Sequence, residues 1–222
     1  ENKKYAGQGY HSLSVGDIDA DGKDEVVFGS MVIDNDGKGL YSSRLGHGDA
    51  MHLSDIDPDR PGMEIFGIHE RARHPHGANL RDALTGEVIW SYQSADVGRG
   101  IAIDIDPRHR GFESWASGDG LSGVWNVKGE VISEKKPSSA NMAIWWDGDL
   151  LRELLDGVNI DKWDWENSKS NRMLAGADYQ VVRNNGTKSN PNLSADIFGD
   201  WREELITRTE DGKELRIFST TI

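Results

Sequence analysis

The sequence contains no cysteine, so no disulfide framework can hold the fold together. It has no apolar run approaching the roughly 20 residues that a membrane-spanning helix needs. Basic residues are scarce, with 25 Lys and Arg against 38 Asp and Glu, and the net charge is −13. This balance excludes a general binder of nucleic-acid backbones, which needs a basic face. Hydrophobic residues make up only 36% of the chain, so its core depends on a regular pattern.

The abundant residues are acids, and they recur at a regular interval. Five acidic segments follow one another about 45 residues apart, a period typical of propellers, solenoids and arrays. We name these segments loops 1 to 5, and they span residues 17–25, 55–64, 104–113, 147–153 and 196–204. The acids are therefore placed by a repeat and not scattered over a solvated surface.

Loop 1 has the residue spacing of a calcium-binding loop. Carboxylates at positions 1, 3 and 5 of a curled loop point inward together, and Ca²⁺ prefers about six to eight oxygen ligands. Asp17, Asp19 and Asp21 occupy those positions. The carbonyl of Lys23 is a fourth predicted donor, and Glu25 closes the loop. The predicted ligands in the other loops are Asp55, Asp57, Asp59 and Glu64; Asp104, Asp106 and Glu113; Asp147, Asp149 and Glu153; and Asp196, Asp200, Glu204 and the carbonyls of Phe198 and Arg202.

An EF-hand and a simple turn are the two alternatives to this kind of calcium-binding loop. An EF-hand needs an acid at position 12 and flanking helices, whereas Phe28 stands at that position of loop 1 and the flanking residues have strand character. Asp-Gly segments can also be simple turns between strands. Five such loops in register favour ion binding over turns alone.

The residues around the loops predict β-structure. Alternating residues precede each of the first three loops, and Val88–Tyr92 reads as an outer strand. Turn signals at 34–37, 84–87 and 210–213 predict hairpins. One short segment, 150–155, has helical character. Four short strands with an acidic loop between the first two make a propeller blade. We therefore predict an all-β fold over 1–222, a partial propeller of five four-stranded repeats that start near Asp17, Asp55, Asp104, Asp147 and Asp196.

Four stretches of the sequence resemble a known family. They are 47–59, 66–70, 184–188 and 194–204, in which the last reads Ser-Ala-Asp-Ile-Phe-Gly-Asp-Trp-Arg-Glu-Glu. Together they are similar to bacterial rhamnogalacturonan lyases of polysaccharide lyase family eleven. The resemblance implies an eight-bladed, calcium-rich β-propeller that cleaves the rhamnogalacturonan backbone of pectin by β-elimination. Five blades in this chain imply that the remaining blades belong to a longer chain or to a second chain.

The chemistry of β-elimination defines what a site must contain. The C5 proton beside a uronate carboxylate becomes acidic only when a metal ion or an arginine stabilises the developing charge, and a base must then remove it. With the resemblance, Lys188 is the candidate base or substrate contact, and Arg99, which lies between two glycines, is the candidate carboxylate clamp. Substrate-binding candidates are Asn185, Gly186, Thr187 and His69.

Histidines suggest a further metal site. His11 and His52 stand at matching places before loops 1 and 2, and with Glu70 they could converge on one ion, either calcium with unusual ligands or another metal. Two alternatives to a lyase stay open: a calcium-dependent propeller that binds carbohydrate or protein without catalysis, and a structural fragment that needs a partner. Loops of this kind often need near-millimolar calcium, so we expect a secreted or periplasmic protein.

Overall fold

The residues that the structure describes form twenty strands, in agreement with the all-β fold that the sequence predicts. The computed structural model describes residues 2–70 and 74–221. The strands are β1 Ser14–Gly16, β2 Glu25–Phe28, β3 Met31–Ile33, β4 Gly39–Ser42, β5 Met51–Ser54, β6 Glu64–Ile68, β7 His74–Asp82, β8 Val88–Ser94, β9 Arg99–Ile103, β10 Glu113–Ser117, β11 Val124–Trp125, β12 Val131–Ser133, β13 Met142–Ile144, β14 Glu153–Asp156, β15 Asn159–Asp164, β16 Lys169–Ala175, β17 Val181–Val182, β18 Leu193–Ala195, β19 Glu204–Thr209 and β20 Leu215–Phe218.

The strands group into five four-stranded antiparallel sheets, which we number blades 1 to 5. Each of blades 1 to 4 is a meander of consecutive strands: β1 to β4, β5 to β8, β9 to β12 and β13 to β16. In blade 5, β19 pairs with β20 along one edge, while β18 and β17 pair with different parts of it. These sheets confirm the predicted fold class of propeller blades.

Among residues 2–70 and 74–221, helical structure is confined to two short 3-10 turns, Asn2–Lys4 and Gly176–Tyr179. Throughout the described part of the chain, no helix has the length and apolar character to cross a membrane. The helix expected at 150–155 is wrong, because Glu153–Asp156 is strand β14. Glu153, Leu154 and Leu155 are all buried there, which a strand between two neighbours achieves and a one-turn helix does not.

The chain divides into two compact units. Unit 1 comprises residues 1–103 and 108–134 and holds blades 1 to 3, whereas unit 2 comprises 104–107 and 135–222 and holds blades 4 and 5. Within unit 1, one apolar cluster joins residues of blades 2 and 3, including Phe66, Leu80 and Trp125. A second cluster in unit 1 contains Val27 and Met51 from blades 1 and 2. Large side chains of this kind contribute about 1.5–3 kcal/mol each when fully buried.

Unit 2 has its own core. Ile144, Leu155 and Ile160 of blade 4 and Leu205 of blade 5 belong to a single buried cluster. Neighbouring blades of one unit therefore pack against each other through buried side chains. Each acidic loop lies between two paired strands of its blade and leads into the strand that its glutamate begins.

Candidate metal and uronate site

Every acidic loop closes on a glutamate that begins a buried strand. Glu25, Glu64, Glu113, Glu153 and Glu204 are each at most 2% exposed. In loops 1, 2, 4 and 5 the Oε2 atom of this glutamate accepts the N–H of a residue near the start of the loop, at 3.0 Å in each case. The glutamate thus fastens the loop to its own sheet, and its buried position explains why the acid recurs in the sequence.

Loops 1 and 5 have the same backbone. Positive φ angles occur at their fourth and sixth positions, at Ala20 (62°) and Gly22 (86°) in loop 1 and at Gly199 (75°) and Trp201 (74°) in loop 5. The first aspartate of each loop accepts the N–H groups of the fifth and sixth residues, at 2.9–3.1 Å. A tryptophan at positive φ is unusual, so the loop geometry is imposed on it by these bonds.

The oxygen atoms of loop 1 converge on one point. Ligand atoms of Asp17, Asp19 and Glu25 lie within 4.8 Å of one another. Oε2 of Glu25 accepts the Ile18 N–H, whereas its Oε1 is buried and has no hydrogen-bond partner. A buried carboxylate oxygen without a partner is costly, and a hard cation would satisfy it. The donor set of loop 1 therefore fits a calcium ion.

The predicted ligands of loops 2 and 3 are less closely gathered. Asp57 is buried and its N–H reaches Glu64, but Asp55 is exposed and Asp59 pairs with Arg110 at 2.9 Å. Arg60 Nε lies 3.6 Å from Glu64 Oε1. In loop 3, Asp106 and Glu113 are buried. Burial, followed by the charges of Asp106 and Asp149, raises the pKa of the Asp104 carboxyl.

Loop 4 also gathers three carboxylates, but a lysine lies among them. Oxygens of Asp147, Asp149 and Glu153 fall within 4.8 Å of one another. The Nζ atom of Lys162 contacts Asp147 Oδ2 and lies 2.6 Å from Asp149 Oδ2 and 3.2 Å from Glu153 Oε1. Burial lowers the pKa of Lys162, but the hydrogen bonds to the two aspartates and the Glu153 charge outweigh burial and raise the pKa above its usual value.

A second type of cluster lies in unit 1 and combines imidazoles with carboxylates. We name His11, His47, Asp49 and Glu70 the histidine cluster; their ligand atoms lie within 4.8 Å of one another. His11 comes from the segment before β1, His47 and Asp49 from the segment between β4 and β5, and Glu70 is the second residue after β6. His11 Nε2 is 3.3 Å from Asp49 Oδ1, and the His11 and His47 ring centroids are 4.8 Å apart.

Glycine at position 48 allows this approach. A Cβ atom at Gly48 would lie 1.8 Å from the Ile68 carbonyl oxygen and 2.8 Å from the Tyr10 ring. The segment that carries His47 and Asp49 can therefore lie against β6 only if no side chain stands between them. Only glycine, which has no Cβ atom, allows two main-chain segments to lie this close.

A backbone contact fixes the orientation of His47. Its Nδ1 lies 2.5 Å from the Gly9 carbonyl oxygen, and because a carbonyl only accepts, Nδ1 carries the proton. The other ring nitrogen, Nε2, faces Glu70 Oε2 at 3.4 Å. A histidine held through one nitrogen while the other faces carboxylates is the arrangement of a metal-ligating imidazole. A hydrogen bond with Asp49, then burial and the Asp49 charge, raise the pKa of Glu70.

His69 lies behind the histidine cluster. It is fully buried, and its Nε2 is 3.0 Å from the Tyr10 hydroxyl, so the predicted substrate contact is placed in the interior. Burial raises the pKa of Tyr10. His52, predicted as a ligand, places its Nε2 3.2 Å from the Gly100 carbonyl and is not a member of the cluster. His47 and Asp49 take part instead, and the sequence signal for them was the stretch 47–59 of the family resemblance.

Arg99 lies on the segment next to the histidine cluster. A Cβ at Gly98 would lie 3.7 Å from Asp49 Oδ2, and the Val97 N–H donates to the His69 carbonyl at 3.1 Å. Arg99 itself is half-buried, and its Nη1 donates to the Gly98 carbonyl at 3.0 Å. The histidine cluster and the segment that carries Arg99 therefore lie in one region of unit 1.

The predicted substrate-contacting segment 185–188 lies in unit 2, between β17 and β18. Asn185, Gly186 and Thr187 are exposed, and Lys188 is half-buried. The Asn185 side chain shapes the turn by accepting the Lys188 N–H at 2.7 Å, while Asn141 donates to the Lys188 carbonyl at 2.9 Å. The backbone around Lys188 is thus held from both sides, and open space surrounds Gly186.

The fold and these sites define a class: β-propeller blades with acidic loops and a mixed histidine and carboxylate cluster. The chain matches the family model described as rhamnogalacturonan lyase family 11, C-terminal domain, over residues 1–222. It therefore belongs to rhamnogalacturonan lyase family 11, as its sequence resemblance predicts.

Individual relatives are similar over the whole chain. It is 54% identical to the rhamnogalacturonan endolyase YesW of Bacillus subtilis (strain 168), over all of this chain and 35% of YesW. It is 54% identical to the rhamnogalacturonan exolyase YesX of the same organism, over 99% of this chain and 38% of YesX. The chain spans little more than a third of the length of these relatives.

Solved structures agree with these similarities. The crystal structure of rhamnogalacturonan lyase YesW superposes with a TM-score of 0.94 at 53% identity, covering all of this chain and 37% of that one. A rhamnogalacturonan lyase of Bacillus licheniformis superposes with a TM-score of 0.93 at 54% identity, covering 99% and 37%.

Proposed function

We propose that the protein containing this chain cleaves the rhamnogalacturonan backbone of pectin by β-elimination at galacturonate. The observation that carries the proposal is the histidine cluster with the Arg99 segment beside it. Family membership and the names of an endolyase and an exolyase at 54% identity support the same reaction. Because the chain covers about a third of those relatives, the activity is proposed for the whole protein.

The histidine cluster fits a divalent cation, since it offers two imidazoles and two carboxylates to one point. A cation bound there would neutralise the uronate carboxylate and make its C5 proton more acidic. The residues of the chain supply the orientation. Gly9 fixes the His47 tautomer, Asp49 aligns His11, and Arg99 contributes a permanent positive charge that favours an anionic sugar.

For proton removal, Lys188 of unit 2 is our candidate base or substrate contact, as the family resemblance implies. Its backbone is held by Asn185 and Asn141, which limits the positions its side chain can reach. Neighbouring Asn185 and Thr187 are exposed and carry groups that can hydrogen-bond sugar hydroxyls. The elimination then breaks the C4–O4 bond, and the leaving oxygen needs a proton from solvent or a side chain.

We further propose structural calcium in loops 1 and 5, which have positive φ angles at the same two positions, and extend it to loops 2 and 3, whose closing glutamates are equally buried. Calcium sites of this spacing suit a secreted or periplasmic protein, where the ion is abundant. Four bound ions would offset much of the net charge of −13 and so reduce repulsion of an acidic polymer.

The test is the activity of the full-length protein on rhamnogalacturonan, followed by the ultraviolet absorbance of the unsaturated uronate product. We expect His47→Gln to lower kcat/KM by about 10- to 100-fold, as loss of a metal ligand or its support does. His76→Gln is the matched control, because His76 contacts Ser91 at 2.9 Å and lies outside the cluster. A wild-type protein that binds the polymer without forming unsaturated product would show a non-catalytic propeller instead.

The role of Lys188 is tested separately. Lys188→Met should abolish product formation while leaving cation binding by the histidine cluster unchanged. Equal loss from Lys169→Met, an exposed lysine that pairs with Asp164 at 3.7 Å, would show that charge alone matters.

A further inference from the structure

We propose that Lys162 is the resident cation of loop 4, and that its ammonium occupies the place that a calcium ion takes in loop 1. The ammonium reaches one oxygen of each acid in the loop, Asp147, Asp149 and Glu153. These are the three carboxylates whose spacing predicts a metal site. Loop 4 therefore differs from loop 1 in having one side-chain ammonium that pairs with all three of its acids.

The ammonium and a metal ion compete for the same atoms. A calcium ion binds its oxygen ligands at about 2.3–2.6 Å and needs their lone pairs. In loop 4, Asp149 Oδ2 accepts from Lys162 at 2.6 Å, and the ammonium forms an ion pair with Glu153 Oε1 at 3.2 Å. The Oε1 atom of the closing glutamate lacks a hydrogen-bond partner in both loops, but in loop 1 the nearby Lys23 pairs with Asp21, at 3.4 Å, and not with Glu25. The two loops have similar acids, and they differ in whether a side-chain cation lies beside the closing glutamate.

The position of Lys162 follows from strand register. Leu154 pairs with Asp161, so the next pair along β14 and β15 places Lys162 opposite Glu153 and on the same face of the sheet. The equivalent pair in blade 2 is Glu64 and Asp82. In blades 1 and 3, continuing the strand pairing by one residue places Asp34 opposite Glu25 and Asn126 opposite Glu113. Blade 4 thus has a basic residue opposite its closing glutamate, where blades 1 to 3 have a side chain with an oxygen atom that can bind a cation.

A longer hairpin accounts for the exchange. In blade 2 the residue opposite the closing glutamate also caps the following turn, since Asp82 Oδ1 accepts the Thr85 N–H at 2.8 Å. In blade 4 the strand runs two residues further, and Asp164 caps the turn by accepting the Asn167 N–H at 3.0 Å. The position opposite Glu153 is therefore free of a turn role and accommodates a long basic side chain.

The inference rests on the proposed calcium in loop 1 as its internal reference, and one crystal can separate the two. Crystals of the full-length wild-type protein grown with calcium would be measured at long wavelength for anomalous difference density. We expect a calcium peak in loop 1 and none among Asp147, Asp149 and Glu153. Peaks in both loops would overturn the lysine inference alone, and peaks in neither would overturn the calcium proposal and the comparison with it.

A gain-of-site variant gives a second measurement. Lys162→Asn introduces the residue that blade 3 has at this position, and we expect it to bind one more calcium ion per molecule after equilibrium dialysis. Lys162→Arg retains a cation and should gain none. Lys213→Met is the control, because Lys213 pairs with Asp211 in a hairpin and is 81% exposed. An unchanged ion count in a folded Lys162→Asn protein would overturn the inference, and if this variant fails to fold, the wild-type anomalous map decides.

Discussion

Replacing Glu25 by glutamine should change stability in opposite directions with and without calcium. The glutamate is fully buried; one oxygen accepts the Ile18 N–H and the other has no hydrogen-bond partner. Without the ion, a buried carboxylate beside Asp17 and Asp19 is unfavourable, and an unsatisfied charged group costs at least about 1–3 kcal/mol. Glutamine has nearly the same shape, carries no charge and can donate to those aspartates.

The magnitudes follow from these contacts. In a chelator, Glu25→Gln should leave loop 1 equally stable or more stable, by up to about 1–3 kcal/mol. With calcium at 100 times its dissociation constant, the wild type gains about 2.7 kcal/mol, which is roughly a hundredfold in the opening equilibrium. The variant lacks one ligand and gains much less. The order of stability of the two proteins should therefore reverse when calcium is added.

Hydrogen exchange measures this reversal locally. Peptides that cover residues 17–28 of the full-length protein would be followed by mass spectrometry in chelator and in calcium, with Glu87→Gln, at an exposed hairpin position, as control. If Glu25→Gln accelerates exchange by the same factor in both conditions, Glu25 is only a hydrogen-bond acceptor for the loop, and the reasoning for an ion fails.

Two further predictions concern unit 1. Gly48→Ala places a methyl group 1.8 Å from the Ile68 carbonyl oxygen, so the segment must shift. We expect the free energy of unfolding to fall by about 1–3 kcal/mol and cation binding by the histidine cluster to weaken, both measured by calorimetry. Gly186→Ala, where the new methyl group has nothing within 4 Å, should change neither quantity. Burial raises the pKa of Tyr41 to about 12, so the phenol ionises at lower pH in the unfolded chain than in the folded one. The free energy of unfolding should therefore fall as pH rises from about 10 and level off above about 12. Tyr41→Phe should flatten this pH dependence in urea titrations, and an unchanged pH dependence would assign it to other groups.

The strands and the acidic loops could be predicted because their signals are local. The strand expected at 51–54 is β5, the outer strand predicted at Val88–Tyr92 lies within β8, and the turn at 210–213 joins β19 to β20. The common frame of loops 1 and 5 was visible in the spacing of their acids. Each of these features depends on neighbouring residues, whose pattern is preserved in the sequence.

The histidine cluster and Lys162 could not be predicted in the same way, because pairing between distant segments creates them. His47 and Glu70 meet only after β5 and β6 have paired, and His52, which looked equivalent to His11, contacts Gly100 in the next blade. Lys162 reaches Glu153 across a hairpin whose register the sequence does not state. The leucines and acid of segment 150–155 fit both a helical and a strand period, so the sequence alone does not distinguish the two. Glu153–Asp156 forms a strand because its side chains are buried between neighbouring strands.

The closing glutamate also has a consequence for folding. In blades 1 to 4 it is the first residue of the second strand, and side chains of a strand alternate between faces. A slip of one residue between β1 and β2 would turn Glu25 to the opposite face, and the loop would lose both its backbone anchor and an acidic side chain. A cation held by the loop, as we propose, would therefore stabilise only the native strand alignment, and the loop would help to set the register of the two strands that it joins.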